Sequence, residues 1–409
     1  MKPIKLNGRT GEGGGQLVRV AVGLAALTMQ PVIITNIRGN RPGPRGGGLK
    51  SQHVASISWL AEVTGAEVQG LSIGSKTLTF VPRRPPSDLA GRSFSISPES
   101  SAASSLLVIQ AILPYVLFAS NDKGEPVELC ISGGTNVAWS PSFEYFDQVL
   151  MPTLEERFGI TVERQLEKRG WCLGPQSSGR LRLKVHPVPK GQMLQFRPPQ
   201  EYTFPSSYKV KSIDVSIVTP QSSHEGLRAE LSRCLGLHFA DADVCFKLSE
   251  DSGDNMRWSI LLVARSEAGI RWARDLVRSM PRKTKRQDAF IAKISRTLCG
   301  ELVEEVGLRG TVDDKLQDQL VSFQALADGL SSFPRDNGPT QSACGSSLAE
   351  AVESLGVSER SMKRDKTHGP FGHGSKHART IRWVISELLP RAEFYSQGDS
   401  VRGVGFSIS

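Results

Sequence analysis

At 409 residues the chain is longer than a single hydrophobic core usually grows, so more than one folding unit is expected. Its 50 Lys and Arg against 41 Asp and Glu leave a charge of +9, which suits a polyanionic partner without identifying one and is equally the charge of an ordinary solvated surface. Six scattered cysteines (Cys130, Cys172, Cys234, Cys245, Cys299, Cys344) without a Cys-x-x-Cys pair argue against a disulfide framework or zinc site, and the longest apolar stretch, Leu106 to Ala119, is broken by Gln110 and Pro114 and too short to span a bilayer; with no secretory leader either, the expectation is a cytoplasmic or nuclear protein with no membrane role.

The first element, Gln16 to Met29, carries Leu17, Val20, Ala21, Leu24 and Leu27 at helical spacing, and Pro31 separates it from a strand over Val32 to Ile37. A second helix is expected over Gln52 to Thr64, followed by strands at Ala66 to Val68 and Thr77 to Val81. The order then recurs: helix Ser104 to Phe118, strand Val127 to Ile131, helix Ser142 to Arg157, strands at Ile160 to Val162 and Leu181 to Val185. Gly39 and Gly133 lie 94 residues apart, as do Gly65 and Gly159, so the chain reads as an internal repeat.

From Pro187 to Arg286 the pattern changes. A proline-rich entry (Pro187, Pro189, Pro198, Pro199, Pro205) leads to strands at Ile213 to Val218, Val244 to Leu248 and Trp258 to Ala264, with helices at His224 to Leu235 and Glu267 to Met280. This reads as a small α/β insert spanning 187–286, left through the basic run Arg282 to Arg286. The large unit, 1–186, resumes at 287–409 with helices over Asp288 to Glu305 and Asp314 to Ala327. Ser331 to Pro370 is poor in large apolar residues and reads as a mostly disordered surface insertion, with a short helix conceivable over Ser347 to Leu355. Lys376 to Leu389, Pro390 and Ala392 to Tyr395 repeat helix, proline and strand a third time.

Three segments carry candidate chemistry. Gly11-Glu-Gly-Gly-Gly-Gln16 runs into a helix, where free N–H groups and the helix dipole favour an anion; Glu12 beside it suits a divalent cation better than a phosphate. Arg38, Arg41, Arg45 and Lys50 lie in one glycine-rich loop, a plausible phosphate clamp or a plain solvated loop. His373 and His377 are four apart, but Gly374 between them and the lack of further ligands argue against a metal site. His377, opening a helix, is the better candidate for a nucleophile, since neutral imidazole is abundant near pH 7; a capping or packing histidine is the plain alternative.

Together these segments resemble the RNA 3'-terminal phosphate cyclase family. The resemblance rests on Gly11-Glu-Gly-Gly-Gly-Gln-Leu-Val-Arg19, Ile37-Arg-Gly-Asn-Arg41, Gln52-His53, Gln110, Ser132-Gly-Gly-Thr135, Asp318-Gln319-Leu320 and the histidine opening the last long helix. It covers most of 4–186 and 287–409 and is weak in the insert. The implied fold is α/β: a large domain of three β-α-β-α-β-β units related to the enolpyruvate transferases, with an inserted thioredoxin-like small domain. The implied activity is ATP-dependent conversion of an RNA 3'-phosphate to a 2',3'-cyclic phosphate, a ligase reaction forming a phosphoric ester. On this resemblance His377 becomes adenylylated, Arg19, Arg38, Arg41 and Gln52 handle phosphates and the RNA end, and Glu12 holds Mg²⁺ or Mn²⁺. Gln110, Pro141, Tyr145, Asp318 and Gln319 would surround the adenosine. RNA 3'-phosphate ends are the implied partner; nothing in the sequence sets an oligomeric state.

The chain departs from the family in places. Lys315 stands where a tyrosine is common, Trp171 to Gly179 replaces a proline and three glycines, and Ile381 follows Thr380 where an asparagine is usual. A catalytically silent cyclase-like protein acting in ribosome assembly is the main alternative; such proteins lack the histidine nucleophile, which this chain keeps. A nonspecific basic RNA-binding protein ranks third, because no basic-aromatic stripe is evident and aromatics make up only 7% of the chain.

Overall fold

The computed structural model describes residues 2–43, 46–198, 208–281, 286–335 and 362–408. Arg45, Pro199, Pro205, residues 282–285 of the basic run, Cys344 and residues 336–361 of the expected insertion, including the short helix conceivable at 347–355, lie outside them.

The chain starts with β1 (Ile4–Asn7), α1 (Gln16–Thr28), β2 (Val32–Thr35), α2 (Ser51–Thr64), β3 (Glu67–Gln69) and β4 (Leu78–Val81). These strands form a sheet in the order β1-β2-β4-β3, in which β1 and β2 are parallel and the other pairs antiparallel. The arrangement then repeats. β5 (Ser93–Ile96), α3 (Ser105–Leu117), β6 (Val127–Gly133), α4 (Phe143–Tyr145), a π-turn (Phe146–Leu150), α5 (Met151–Phe158), β7 (Thr161–Lys168) and β8 (Gly179–His186) give the order β5-β6-β8-β7 with the same pairing senses. Gly65 and Gly159 do the same work in both units: each ends its helix in the left-handed conformation, at φ 58° and 65°, where a side chain would be strained.

The end of the chain supplies a third sheet. α8 (Asp314–Leu326), β13 (Leu330–Ser332), α9 (Lys376–Leu388), β14 (Glu393–Tyr395) and β15 (Ser400–Arg402) give the antiparallel order β13-β15-β14, which matches the last three positions of the other two sheets. A parallel bridge from Gln195 to Asp328 stands where the first strand of such a unit would pair. One main core runs through all three sheets, with α1 packed on α2, α3 and α9. No helix among the described residues is long and apolar enough to cross a membrane.

Between Gln195 and α8 lies the insert: β9 (Val210–Thr219), α6 (His224–His238), β10 (Asp243–Asp251), β11 (Trp258–Ser266), β12 (Arg271–Arg278) and α7 (Gln287–Gly307), with sheet order β10-β9-β11-β12. The helix expected over Glu267 to Met280 is instead β12. Gly269, at φ 78°, turns the chain back after β11, and Arg271 to Arg278 pairs with β11 over its whole length. The second core also extends past residue 286: Phe290, Ile291, Ile294, Leu298 and Leu302 of α7 pack with Leu227 and Leu231 of α6 and with the sheet. On the main-core side, Leu261, Val263 and Ala273 of β11 and β12 join the large cluster, so the inserted sheet is covered on two sides.

The two ends of the expected disordered stretch are ordered parts of the fold. Ser331 and Ser332 belong to β13, Arg335 reaches the buried Glu305 with 2.5 Å between charged atoms, and Asp365 accepts the N–H groups of Gln397 and Gly398. Burying Ser331 and Phe333 offsets the ordering entropy that the composition of the stretch as a whole does not.

Candidate active site

The glycine run meets the start of α9 because no side chains keep them apart. A Cβ at Gly11 would lie 2.1 Å from Thr380 Oγ1, and Glu12 N–H donates to that same oxygen at 2.9 Å. Ser375 caps α9 by accepting from Ala378 N–H at 3.1 Å, which fixes the turn carrying His377. His377 Nε2 then sits 3.9 Å from Glu12 Oε1, while its buried Nδ1 has no hydrogen-bond partner among the described residues. Burial, then the Arg19 and Arg41 charges, lower the His377 pKa below 6.5, so the ring is neutral and nucleophilic near pH 7.

Arg19 projects from α1 and is almost fully buried. Its Nε donates to Gln110 Oε1 at 2.7 Å, and Gln110 Nε2 donates to Gln319 Oε1 at 3.0 Å, linking all three repeats. On its other side lies His53, buried on α2. The Lys50 N–H donates to His53 Nδ1 at 3.0 Å, which leaves the ring proton on Nε2, 3.3 Å from Arg19 NH1. Two donors side by side form a receptor for an anion's oxygen. Gly15 makes room for the pair: a Cβ there would fall 2.5 Å from His53 Nε2 and 2.9 Å from Arg19 NH1. The part played by His53 was missed in the sequence, where its only signal was a place beside Gln52.

Arg19, Arg38, Arg41, Lys50, Gln52, His53 and His377 line one open cleft of about 1030 Å³. Arg38 holds its backbone at φ 53° and points a guanidinium toward Gly48 O at 3.4 Å. Arg41 forms an ion pair with Glu12, whose carboxylate is therefore not free. Among the described residues no cluster of three His, Cys, Asp or Glu could hold a metal ion. Glu12 fits a divalent cation only as a single carboxylate whose other ligands come from water and phosphate, and only after parting from Arg41.

Arg19 and Leu107 also wall a second, smaller cavity of about 40 Å³, lined by Gln110, Pro141, Asp318, Gln319 and the apolar faces of α1 and α3. Burial raises the Asp318 carboxyl to about 7, opposed by hydrogen bonds from Gln16 and Gln319. Tyr145 does not line this cavity. It is fully buried and donates to Asp313 Oδ1 at 2.7 Å, in a contact that ties α4 to the N-cap of α8. Lys315 is paired with Asp275 of the insert, its Nζ 5.9 Å from the Tyr145 ring centre, and burial lowers its pKa to about 8. Of the eleven residues to which the resemblance gives a role, nine line the two adjoining cavities, Glu12 pairs with Arg41, which does, and Tyr145 stands behind them.

The family profile described as RNA 3'-terminal phosphate cyclase matches residues 10–392. Curated proteins of that name are similar over most of both chains. The one from Pyrobaculum aerophilum is 31% identical over 80% of this chain and 86% of its own length. The one from Methanosarcina mazei is 33% identical over 81% and 89%, and the one from Pyrococcus furiosus 31% identical over 80% and 86%. With a profile spanning most of the sequence and relatives this similar over four-fifths of it, the chain belongs to the RNA 3'-terminal phosphate cyclase family.

Proposed function

We propose that this protein is an RNA 3'-terminal phosphate cyclase that uses ATP to convert an RNA 3'-phosphate into a 2',3'-cyclic phosphate. The observation that carries the reading is the position of His377: a neutral imidazole, anchored on a capped helix, in a cleft walled by Arg19, Arg38 and Arg41 and adjoining a small cavity lined by Gln110, Pro141, Asp318 and Gln319. In this reading the adenosine uses the side of Gln110, Pro141, Asp318 and Gln319, with Tyr145 acting from behind through α8. Glu12, once parted from Arg41, would help hold a divalent cation, which would supply charge neutralisation on the phosphates.

The chemistry takes three displacements at phosphorus. His377 attacks the α-phosphorus of ATP and pyrophosphate leaves with the electron pair of the broken P–O bond; the AMP passes from the histidine to an oxygen of the RNA 3'-phosphate; the neighbouring 2'-OH then displaces AMP and loses its proton, closing the ring. Arg19, Arg38 and Arg41 stabilise the charge that builds on the equatorial oxygens, and Gln52 orients the RNA end.

The large domain is read as three β-α-β-α-β-β units of enolpyruvate-transferase type, the insert as thioredoxin-like; the shared strand order of the sheets supports the first of these. We place the protein inside the cell; the relatives named above come from archaea and lend no support to a nucleus. The silent assembly-factor alternative is disfavoured because His377, Glu12, Arg19 and Gln110 all remain in one connected site. Incubating a 3'-phosphorylated oligoribonucleotide with the protein, ATP and Mg²⁺ should yield an end resistant to phosphatase until mild acid opens the ring. An end that stays phosphatase-sensitive with both Mg²⁺ and Mn²⁺ would return the silent reading.

A further inference from the structure

The cleft has one wall that the reaction above does not use. Five of the six tryptophans, Trp59, Trp171, Trp258, Trp272 and Trp383, are at most 8% exposed, whereas Trp139 is 55% exposed. Trp139 lines the same cleft as Arg19, Arg38, Arg41, Lys50 and His377, together with Ile73 from the first repeat, itself 51% exposed. An indole this open is not the result of a loose loop. Thr135 and Asn136 both donate backbone N–H groups to Gly170 O at 3.0 Å, and Asn136 Nδ2 donates to Glu144 at 2.9 Å and Ser259 at 3.0 Å. Val137 is fully buried, and on the far side of Trp139 the Ser140 hydroxyl bonds that of Ser104 at 2.8 Å. The ring is thus held out by a loop pinned on both sides.

A fixed, solvent-facing aromatic beside guanidinium and ammonium groups is the combination that takes single-stranded nucleic acid: cations neutralise the phosphate while the ring stacks on a base of any identity. We propose that Trp139 is the stacking platform for the nucleobase of the RNA's 3'-terminal nucleotide, with Ile73 as its apolar companion. The proposal rests on the cyclase reading for the identity of the ligand. It adds that the enzyme recognises the terminal base as a flat surface, without reading its sequence, while the arginines hold the phosphate attached to the same nucleotide.

Direct binding tests it independently of turnover. In the full-length protein, a 3'-phosphorylated oligoribonucleotide should quench Trp139 emission and shield it from acrylamide, and one whose terminal nucleotide is abasic should do neither. Trp139→Ala should weaken binding of the base-bearing RNA roughly tenfold, Trp139→Phe should recover most of that, and neither change should alter binding of the abasic RNA. Equal losses on both RNAs would make Trp139 a shaper of the cleft and overturn the proposal, as would wild-type affinity in Trp139→Ala. If wild-type protein makes no cyclic end but still distinguishes the two RNAs through Trp139, the cyclase reading fails and the platform stands.

Discussion

At the residue scale, the roles proposed for the arginines differ in a way that substitution can separate. The Arg38 side chain donates to Gly48 O, whereas Arg41 is paired with Glu12 and lowers the His377 pKa. Arg38→Ala should therefore reduce cyclisation of RNA more than formation of the protein–AMP bond, while Arg41→Ala should reduce both; single-turnover assays of each step distinguish them. His53 offers a test in pH. Burial and the charges of Arg19, Arg38 and Lys50 hold its folded pKa well below 6.5, so below about pH 6.5 the unfolded chain takes up a proton that the folded one resists, and stability falls as pH drops. Asp313, Asp318 and Asp399, raised by burial to about 6, 7 and 7, act in the opposite sense, losing stability as pH rises toward neutrality. The difference in Tm between wild type and His53→Gln isolates the histidine: it should shrink or reverse in favour of the variant from pH 8 to about pH 5. The place of His377 in the first turn of a helix was legible in the sequence. His53 was not, because its role depends on Arg19, a partner 34 positions away that only folding brings near.

Elements were legible wherever local pattern and tertiary packing agree. α1, α2, α3 and α8 lie within two residues of their expected bounds, since apolar periodicity agrees with the boundary signals there: Pro31 after α1, Gly65 after α2, and the N-caps Ser104 of α3 and Asp313 of α8. β12 failed for an instructive reason. Ile270, Ala273 and Val277 have helical spacing, but the positive φ at Gly269 and a long antiparallel ladder with β11 decide the outcome, and Trp272 Nε1 and Ala273 N–H are held by Gly310 O and Asp313. The glycine run is where element and chemistry meet. Gly15→Ala should displace Arg19 and His53 from each other and raise the KM for phosphate-bearing substrates severalfold, while far-ultraviolet circular dichroism stays unchanged. Gly65→Ala, distant from the cleft, should instead cost about 1 kcal/mol in urea unfolding without a change in KM, because its left-handed φ strains any Cβ.

At the scale of the whole molecule, the repeat seen in the glycine spacing appears as two sheets of identical order, and its third copy is interrupted by the insert after the Gln195 bridge. Sequence alone ended the insert too early, because the apolar face of α7 does not say which sheet it covers. Deleting residues 338–358 should leave Tm nearly unchanged, as their composition offers little apolar surface to bury. Extending the deletion to 331–370 should lower it sharply by removing β13, the Arg335–Glu305 pair and the Asp365 contacts. His377 lines a cleft shared with residues of the other two repeats, and one measurement tests its proposed role directly. Protein incubated with ATP and a divalent cation, then digested at alkaline pH and sequenced by mass spectrometry, should carry a single acid-labile AMP on His377, absent from His377→Ala and retained in His373→Ala. AMP on any other residue, or cyclisation of RNA by His377→Ala, would contradict the account.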